Sequence, residues 1–103
     1  MYKTRPLAQL EKAALVAQAV EEVTLVPLER LRAGGKRGPV DQARHLAYLL
    51  LDKRGLSMSA TADYLHRTSH TSVRHAKSRE RSDEFNALLA RCETTYLRLA
   101  SWD

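Results

Sequence analysis

Apolar residues in the first third of the chain recur at the spacing of an α-helix. The stripe has members at steps of three or four residues: Leu7, Leu10, Ala14, Ala17 and Val20. Such steps line one face of a helix, so we predict a helix over about residues 6–23 with this stripe facing the core. Pro6 suits the first turn, where its missing N–H leaves no hydrogen bond unmade.

A short helical turn and a glycine-rich loop separate this helix from a second long one. The turn is indicated by Val26, Leu28 and Leu31. Residues 33–39 form the loop and contain three of the four glycines. The second long helix is predicted over about residues 39–54, with Arg44 on its polar side and Gly55 ending it in a left-handed conformation.

Two short helices with a brief connection follow, which is the arrangement of a helix-turn-helix. The first is predicted over about residues 57–66 and is capped by Ser57. Its inward side chains are Met58, Ala62 and Leu65. About three polar residues lead to the second helix, which Thr68 or Ser69 caps. The motif thus spans about residues 57–80.

A last helix is predicted over about residues 82–100, with Ser82 as its cap. Its apolar side chains at helical spacing are Phe85, Leu88, Leu89, Cys92, Tyr96 and Leu99. The short β-branched run at residues 23–28 is interrupted by Pro27, so no strand is predicted. We therefore expect one all-α domain over residues 1–103, with five to six helices.

The composition agrees with one folded domain. The 103 residues are 44% apolar and 28% charged, enough apolar surface to offset the entropy of ordering. No stretch approaches the roughly 18 apolar residues of a membrane span, and the first residues lack the apolar run of a signal peptide. The one cysteine, Cys92, has no partner for an intramolecular disulfide, so we expect a cytoplasmic protein without a membrane partner.

Positive charge concentrates in the middle of the chain. The net charge of +5 divides into five Lys/Arg against four Asp/Glu in residues 1–33, ten against four in residues 34–81, and two against four in residues 82–103. All four histidines also lie in the middle segment. Such an excess indicates an anionic partner; the alternative is a solvated basic face.

The second helix of the helix-turn-helix has a face of hydrogen-bond donors. At 100° per residue, Val73 and Ala76 define its inner side. The opposite side carries Thr71, Arg74, His75 and Ser78. The hydroxyl side chains are short enough for close approach to base edges, and an arginine can bind guanine or a phosphate. This face favours double-stranded DNA as the partner.

The run over residues 69–76, Ser-His-Thr-Ser-Val-Arg-His-Ala, resembles a signature of the bacterial replication initiator DnaA. That signature, Asp-His-Ser/Thr-Thr-Val-x-His-Ala, belongs to the initiator's C-terminal DNA-binding domain, domain IV. Residues 43–50 resemble its Ala-Arg-Gln-x-Ala-Met-Tyr-Leu helix, residues 56–59 its Leu-Ser-Leu-Pro entry to the helix-turn-helix, and Lys36 and Arg37 its basic loop. The similarity covers about residues 20–79 in the same order, so it implies that domain's fold.

The resemblance also implies a set of DNA contacts. Residues 69–72 are expected to meet base edges or phosphates in the major groove, Lys36 lies where the family places an arginine in the minor groove, and Arg44 lies at a phosphate-binding position. With neighbouring polar positions, the predicted DNA contacts are Lys36, Arg37, Arg44, His45, Ser57, Arg67, Thr68, Ser69, His70, Thr71, Ser72, Arg74, His75 and Ser78.

Departures from the family pattern affect specificity. Ser69 replaces the signature aspartate, and His66 and Arg67 replace the glycines usual in the turn. Lys36 presents a compact charge in place of a planar guanidinium. We therefore expect a target sequence different from the initiator's.

No motif for catalysis or nucleotide binding accompanies these residues. Gly35 and Lys36 lack the first glycine and the Ser/Thr of a Walker motif, and no Gly-x-Ser-x-Gly elbow is present. The histidines and Cys92 lack metal-ligand spacing. We expect no enzymatic activity, no cofactor and no metal.

Without the initiator's ATPase, the resemblance implies a detached DNA-binding domain. We expect a nucleoid-associated transcriptional regulator, such as a gene-transfer-agent or phage-type activator. The alternatives are a modulator of replication that occupies initiator sites and a helical protein-interaction module with an incidental basic patch. RNA polymerase or another regulatory protein is a further expected partner, with Trp102 as the candidate anchor and Tyr96 in the core.

Overall fold

A computed structural model describes residues 8–33, 38–66 and 82–101 of the chain. The helices in these ranges are α1 (Gln9–Thr24), α2 (Leu28–Arg32), α3 (Gly38–Lys53), α4 (Met58–Tyr64) and α5 (Asp83–Leu99). No β-strand forms within the described ranges, so the expected all-α class is confirmed. The predicted second helix of the helix-turn-helix and Trp102 lie outside them.

Helix α1 begins later than predicted. Ala8 is its N-terminal cap, with an extended backbone at φ −69° and ψ 160°, and the helix starts at Gln9. The backbone N–H of Ala8 donates to Oε1 of Glu11 at 3.3 Å, which satisfies one of the donors that a helix start leaves unpaired. The helix therefore starts about three residues after the predicted position, and Pro6, the predicted first-turn residue, lies outside the described residues.

The register of α1 also differs from the predicted stripe. Leu10 is 75% exposed and Ala14 is exposed, whereas the buried side chains are Ala13, Val16, Ala17, Ala19 and Val20. The helix has apolar residues on more than one side, so two stripes that share Ala17 and Val20 both satisfy helical spacing. Packing of α1 against α5 and α3 buries the stripe that was not predicted.

The core lies where α1, α3 and α5 pack together. Helix α1 makes its most extensive contacts with α5 and then with α3, and α2 and α4 close the sides of α3. The largest fully buried side chains are Val16, Val20, Leu31, Leu46, Leu50, Leu51, Thr61, Leu65 and Cys92. Burial of each large aliphatic side chain stabilises the fold by roughly 1.5–3 kcal/mol before the entropy of ordering is counted.

The predicted helix boundaries at Gly55, Ser57 and Ser82 are confirmed, and the predicted cap at Thr68 or Ser69 lies outside the described residues. Gly55 follows α3 with a φ of 98°, a left-handed conformation that glycine adopts without strain. Ser57 Oγ accepts the N–H of Ala60 at 3.0 Å, and Ser82 Oγ accepts the N–H of Phe85 at 3.1 Å. These hydroxyls satisfy free donors at the starts of α4 and α5.

The observed register of α1 predicts which truncation destabilises the fold. Val16→Ala removes two buried methyl groups and should lower the free energy of unfolding by about 2 kcal/mol. Leu10→Ala removes a larger but exposed group and should change it by less than about 0.5 kcal/mol. Urea unfolding followed by circular dichroism measures both. A larger loss of unfolding free energy for Leu10→Ala than for Val16→Ala would contradict the observed register and support the stripe predicted from spacing alone.

Candidate nucleic-acid interface

Two basic segments, residues 34–37 and 67–81, contain most of the predicted DNA contacts. Together they hold seven of the ten Lys/Arg of the middle segment and one of its four acidic residues. Both lie outside the described residues, so the structure shows how they are attached to the helical body. The predicted contacts that fall in them are Lys36, Arg37, Arg67, Thr68, Ser69, His70, Thr71, Ser72, Arg74, His75 and Ser78.

The attachment points of the two basic segments are joined by Arg32 and Tyr64. Arg32 ends α2, and its Nε donates to the backbone carbonyl of Tyr64, the last residue of α4, at 2.8 Å. The Arg32 guanidinium carbon also lies 4.9 Å from the centre of the Tyr64 ring, in cation–π range. Segment 34–37 begins two residues after Arg32, and segment 67–81 begins three residues after Tyr64. Both basic segments therefore leave the helical body from neighbouring points.

Arg44 is buried, and its predicted place on the polar side of α3 is wrong. The residue is only 3% exposed. Its Nε donates to the carbonyl of Leu31 at 2.9 Å, one terminal amino group donates to the carbonyl of Ala33 at 3.0 Å, and Asp41 lies 3.7 Å away. The carbonyls at the end of α2 have no partner within that helix, and the guanidinium supplies the donors they need. Arg44 thus anchors the start of segment 34–37 and is not presented to a phosphate.

His45 is also buried, in contrast to its predicted DNA contact. It is 7% exposed, and its ring stacks on Phe85 of α5 with 4.5 Å between ring centres and 28° between planes. A stacked pair of this geometry contributes packing energy beyond its buried area. His45 therefore joins α3 to α5 in the interior.

Ser57 and His66 lie on the surface at the two ends of α4. Both residues are exposed. The Ser57 hydroxyl accepts the capping hydrogen bond described above and still has a proton to donate outward. His66 has a φ of 56°, the left-handed region that glycine adopts most easily. Histidine therefore occupies a glycine-like backbone conformation where the resemblance expects glycine.

The other basic residues of the described middle segment have intramolecular partners. Lys53 Nζ lies 3.0 Å from Oε2 of Glu93, and the Arg54 guanidinium pairs with Oε1 of the same carboxylate. Arg54 also lies 4.5 Å from the centre of the buried Tyr96 ring, which places Tyr96 in the core as expected. Residues 38–66 contain three Lys/Arg and three Asp/Glu. The excess of positive charge therefore belongs to residues 34–37 and 67–81.

A separate groove between α1 and α5 has mixed charge. Arg98 and Glu22 form an ion pair across it at 2.6 Å, and Leu25, at 83% exposure, lies on its edge. The groove is lined by Gln18, Glu21, Glu22, Val23, Leu25, Arg91, Thr95 and Arg98. None of the predicted DNA contacts belongs to it.

The described ranges contain no candidate metal site and no activated thiol. No group of three His, Cys, Asp or Glu residues suited to a metal ion occurs among the residues searched. Burial raises the pKa of the Cys92 thiol to about 11, against a smaller opposite effect of Arg91, so the thiol is neutral and poorly nucleophilic at neutral pH. None of the described helices is long and apolar enough to cross a membrane.

No family model, curated protein or solved structure matches this chain. The resemblance to the initiator's DNA-binding domain therefore depends on the residues quoted for it and stays a prediction.

Sequence reasoning missed the contact between Arg32 and Tyr64. The two residues are separated by 32 positions, and neither belongs to a motif that pairs them. Charge counting placed Arg32 in the nearly neutral first third of the chain. The one available signal was its position immediately before the glycine-rich basic loop.

The burial of Arg44 predicts a large effect on stability. Arg44→Gln removes the charged donors that the carbonyls of Leu31 and Ala33 accept from, so the free energy of unfolding should fall by about 3 kcal/mol. Arg91→Gln removes the same charge from an exposed position of α5 and should change it by less than about 0.5 kcal/mol. Urea titrations of the two variants measure the difference, and equal losses would contradict the structural role of Arg44.

Cys92 should be protected from thiol reagents in the folded protein. A thiol-specific chromogenic reagent at pH 8 should label it only as fast as the protein opens, and at once in denaturant. Because the folded-state pKa lies above the ordinary value of 9, the stabilising effect of the neutral thiol is complete below about pH 9 and is lost as the pH rises through about 11.

The matched comparison for this pH effect is Cys92→Ala. The variant should lose less stability than the wild type between pH 8 and about 11, because it has no thiol to ionise. Rapid labelling of the folded wild type at pH 8 would show that the thiol is accessible.

Proposed function

We propose that this chain binds double-stranded DNA sequence-specifically through a helix-turn-helix that resembles domain IV of DnaA, and that it regulates transcription. The observation that carries the proposal is the hydrogen bond between Arg32 and Tyr64, which lie two and three residues before the starts of the two basic segments. Two basic segments with neighbouring origins can bind one stretch of duplex together.

The distribution of charge supports a phosphate backbone as the partner. Segments 34–37 and 67–81 hold seven Lys/Arg and one Glu, whereas residues 38–66 are balanced. Duplex DNA presents one negative charge per roughly 1.7 Å of its axis, and its affinity for basic proteins comes largely from counterion release. If the basic patch had no partner, nothing would require the excess positive charge to lie in these two segments and outside the ion-paired helical body.

Two kinds of contact are assigned within this proposal. The second helix of the helix-turn-helix enters the major groove, where His70, Thr71 and Arg74 contact base edges. Lys36, Arg37 and Arg67 contact the backbone or the minor groove and position the domain. Arg44 and His45 are omitted because both are buried, and they support the domain from within.

Regulation by binding is the mode of action we propose. The chain acts at the nucleoid by recruiting or excluding another protein at its target site, with no catalytic step of its own. The sequence has no Walker motif, which supports a mode of action by binding without nucleotide hydrolysis.

Selection of duplexes from a random library with the 103-residue chain, followed by sequencing, tests the proposal. We expect one enriched motif. Thr71→Ala should weaken binding to that motif by about 1–3 kcal/mol and leave binding to random duplex unchanged. A flat profile with negligible affinity at low salt would overturn DNA binding and leave the protein-interaction module.

Salt titrations separate the backbone contacts from the base contacts. The double variant Lys36→Gln, Arg37→Gln should weaken binding to all sequences and flatten the plot of log affinity against log salt by about two units. Arg91→Gln is the control, because Arg91 lines the α1–α5 groove, to which none of the predicted contacts belongs. An equal change of slope in the control would assign the effect to net charge alone.

A further inference from the structure

We infer that Arg32 is a DNA-phosphate anchor, and that Tyr64 holds its guanidinium in position for that contact. The inference rests on the proposed function and adds a residue that neither the sequence motif nor the family resemblance assigns. It concerns the junction from which both basic segments start.

The free donors of Arg32 support this role. Its Nε donates to the Tyr64 carbonyl, and neither terminal amino group has a hydrogen-bond or ion-pair partner among the described residues. The other paired guanidiniums of the described body, those of Arg44, Arg54 and Arg98, each lie against a carboxylate. Of these four guanidiniums, that of Arg32 alone has no carboxylate partner among the described residues.

The two terminal amino groups form a planar fork that suits a phosphate. They present parallel N–H bonds toward two oxygens of one acceptor, a geometry that lysine cannot provide. The Nε hydrogen bond and the Tyr64 ring hold the guanidinium on two sides, and Arg32 is half-buried. Less side-chain freedom is therefore lost on binding than for an exposed arginine.

The position of the Arg32 guanidinium agrees with a contact to the phosphate backbone of DNA. Arg32 lies two residues before segment 34–37 and touches the residue three positions before segment 67–81. A duplex that contacts both segments near their starting points lies close to Arg32, and a phosphate is the group it would present there. Arg30 of the same helix is exposed and has no such support, so it is the natural control.

Duplex binding by Arg32→Gln and Arg30→Gln tests the inference. Arg32→Gln should weaken binding to specific and random duplexes equally, by about five- to tenfold at 0.1 M salt, and reduce the salt slope by about 0.9. Arg30→Gln should change affinity by less than about twofold. Arg32→Lys should retain most of the salt slope and lose part of the affinity, because an ammonium cannot bond to Tyr64 and fork onto a phosphate together.

A positioning role for Tyr64 is tested by Tyr64→Leu. The variant keeps the carbonyl and removes the ring, so it should weaken binding about two- to threefold without changing the salt slope. Thermal unfolding of every variant accompanies the titrations. Loss of stability in Arg32→Gln with unchanged affinity and slope would show a structural role only and overturn the inference.

A measurement on the wild type decides the case if Arg32→Gln fails to fold. In NMR spectra of the arginine side chains, assigned with Arg32→Lys, the Arg32 Nη resonances should shift on addition of duplex, and those of Arg30 should not. Unshifted Arg32 resonances in a chain that binds duplex would overturn this inference and leave the proposed function standing. A wild type that binds no duplex would overturn both.

Discussion

The backbone carbonyls at the end of α2 need hydrogen-bond donors from elsewhere in the chain, and the arrangement of the neighbouring helices depends on how this need is met. A five-residue helix satisfies few of its own carbonyls, and here Arg44 reaches from α3 to those of Leu31 and Ala33. Arg32, which lies between Leu31 and Ala33, donates from its own side chain to the carbonyl of Tyr64. These two arginines join α2, α3 and α4, and so determine where the chain leaves the helical body toward each basic segment.

This constraint divides the positive charge into two groups with different roles. Arg44, Lys53 and Arg54 have acidic partners within the described body and stabilise it. The remaining excess lies in residues 34–37 and 67–81, whose starting points Arg32 and Tyr64 hold together. The described body balances its own charge, and the excess belongs to two segments that follow neighbouring points of that body. This distribution agrees with the extended anion, duplex DNA, that we propose as the partner.

The presence of the helices could be predicted because helix formation, helix ends and apolar spacing are read from neighbouring residues in the sequence. Serine caps, a glycine stop and apolar spacing located α3 to α5 to within one or two residues and indicated the short turn of α2, and the burial of Phe85, Cys92 and Tyr96 followed from the same spacing. The face of α1 could not be predicted, since its apolar residues satisfy two stripes. The interior places of Arg44 and His45 were missed because polar side chains on a helix are expected outward, and the carbonyls and the ring that they contact lie 11 or more positions away.

The sequence by itself determined the all-α class seen in the described ranges, the ends of α3 to α5 and the concentration of charge in the middle of the chain, because these follow from spacing, capping and composition. Only the tertiary structure decided which side of α1 is buried, that Arg44 supports the fold from within, and that Arg32 meets Tyr64 beside the origins of both basic segments. The physical reason is that spacing tells which residues share a face, whereas burial and pairing depend on what another part of the chain brings to that face.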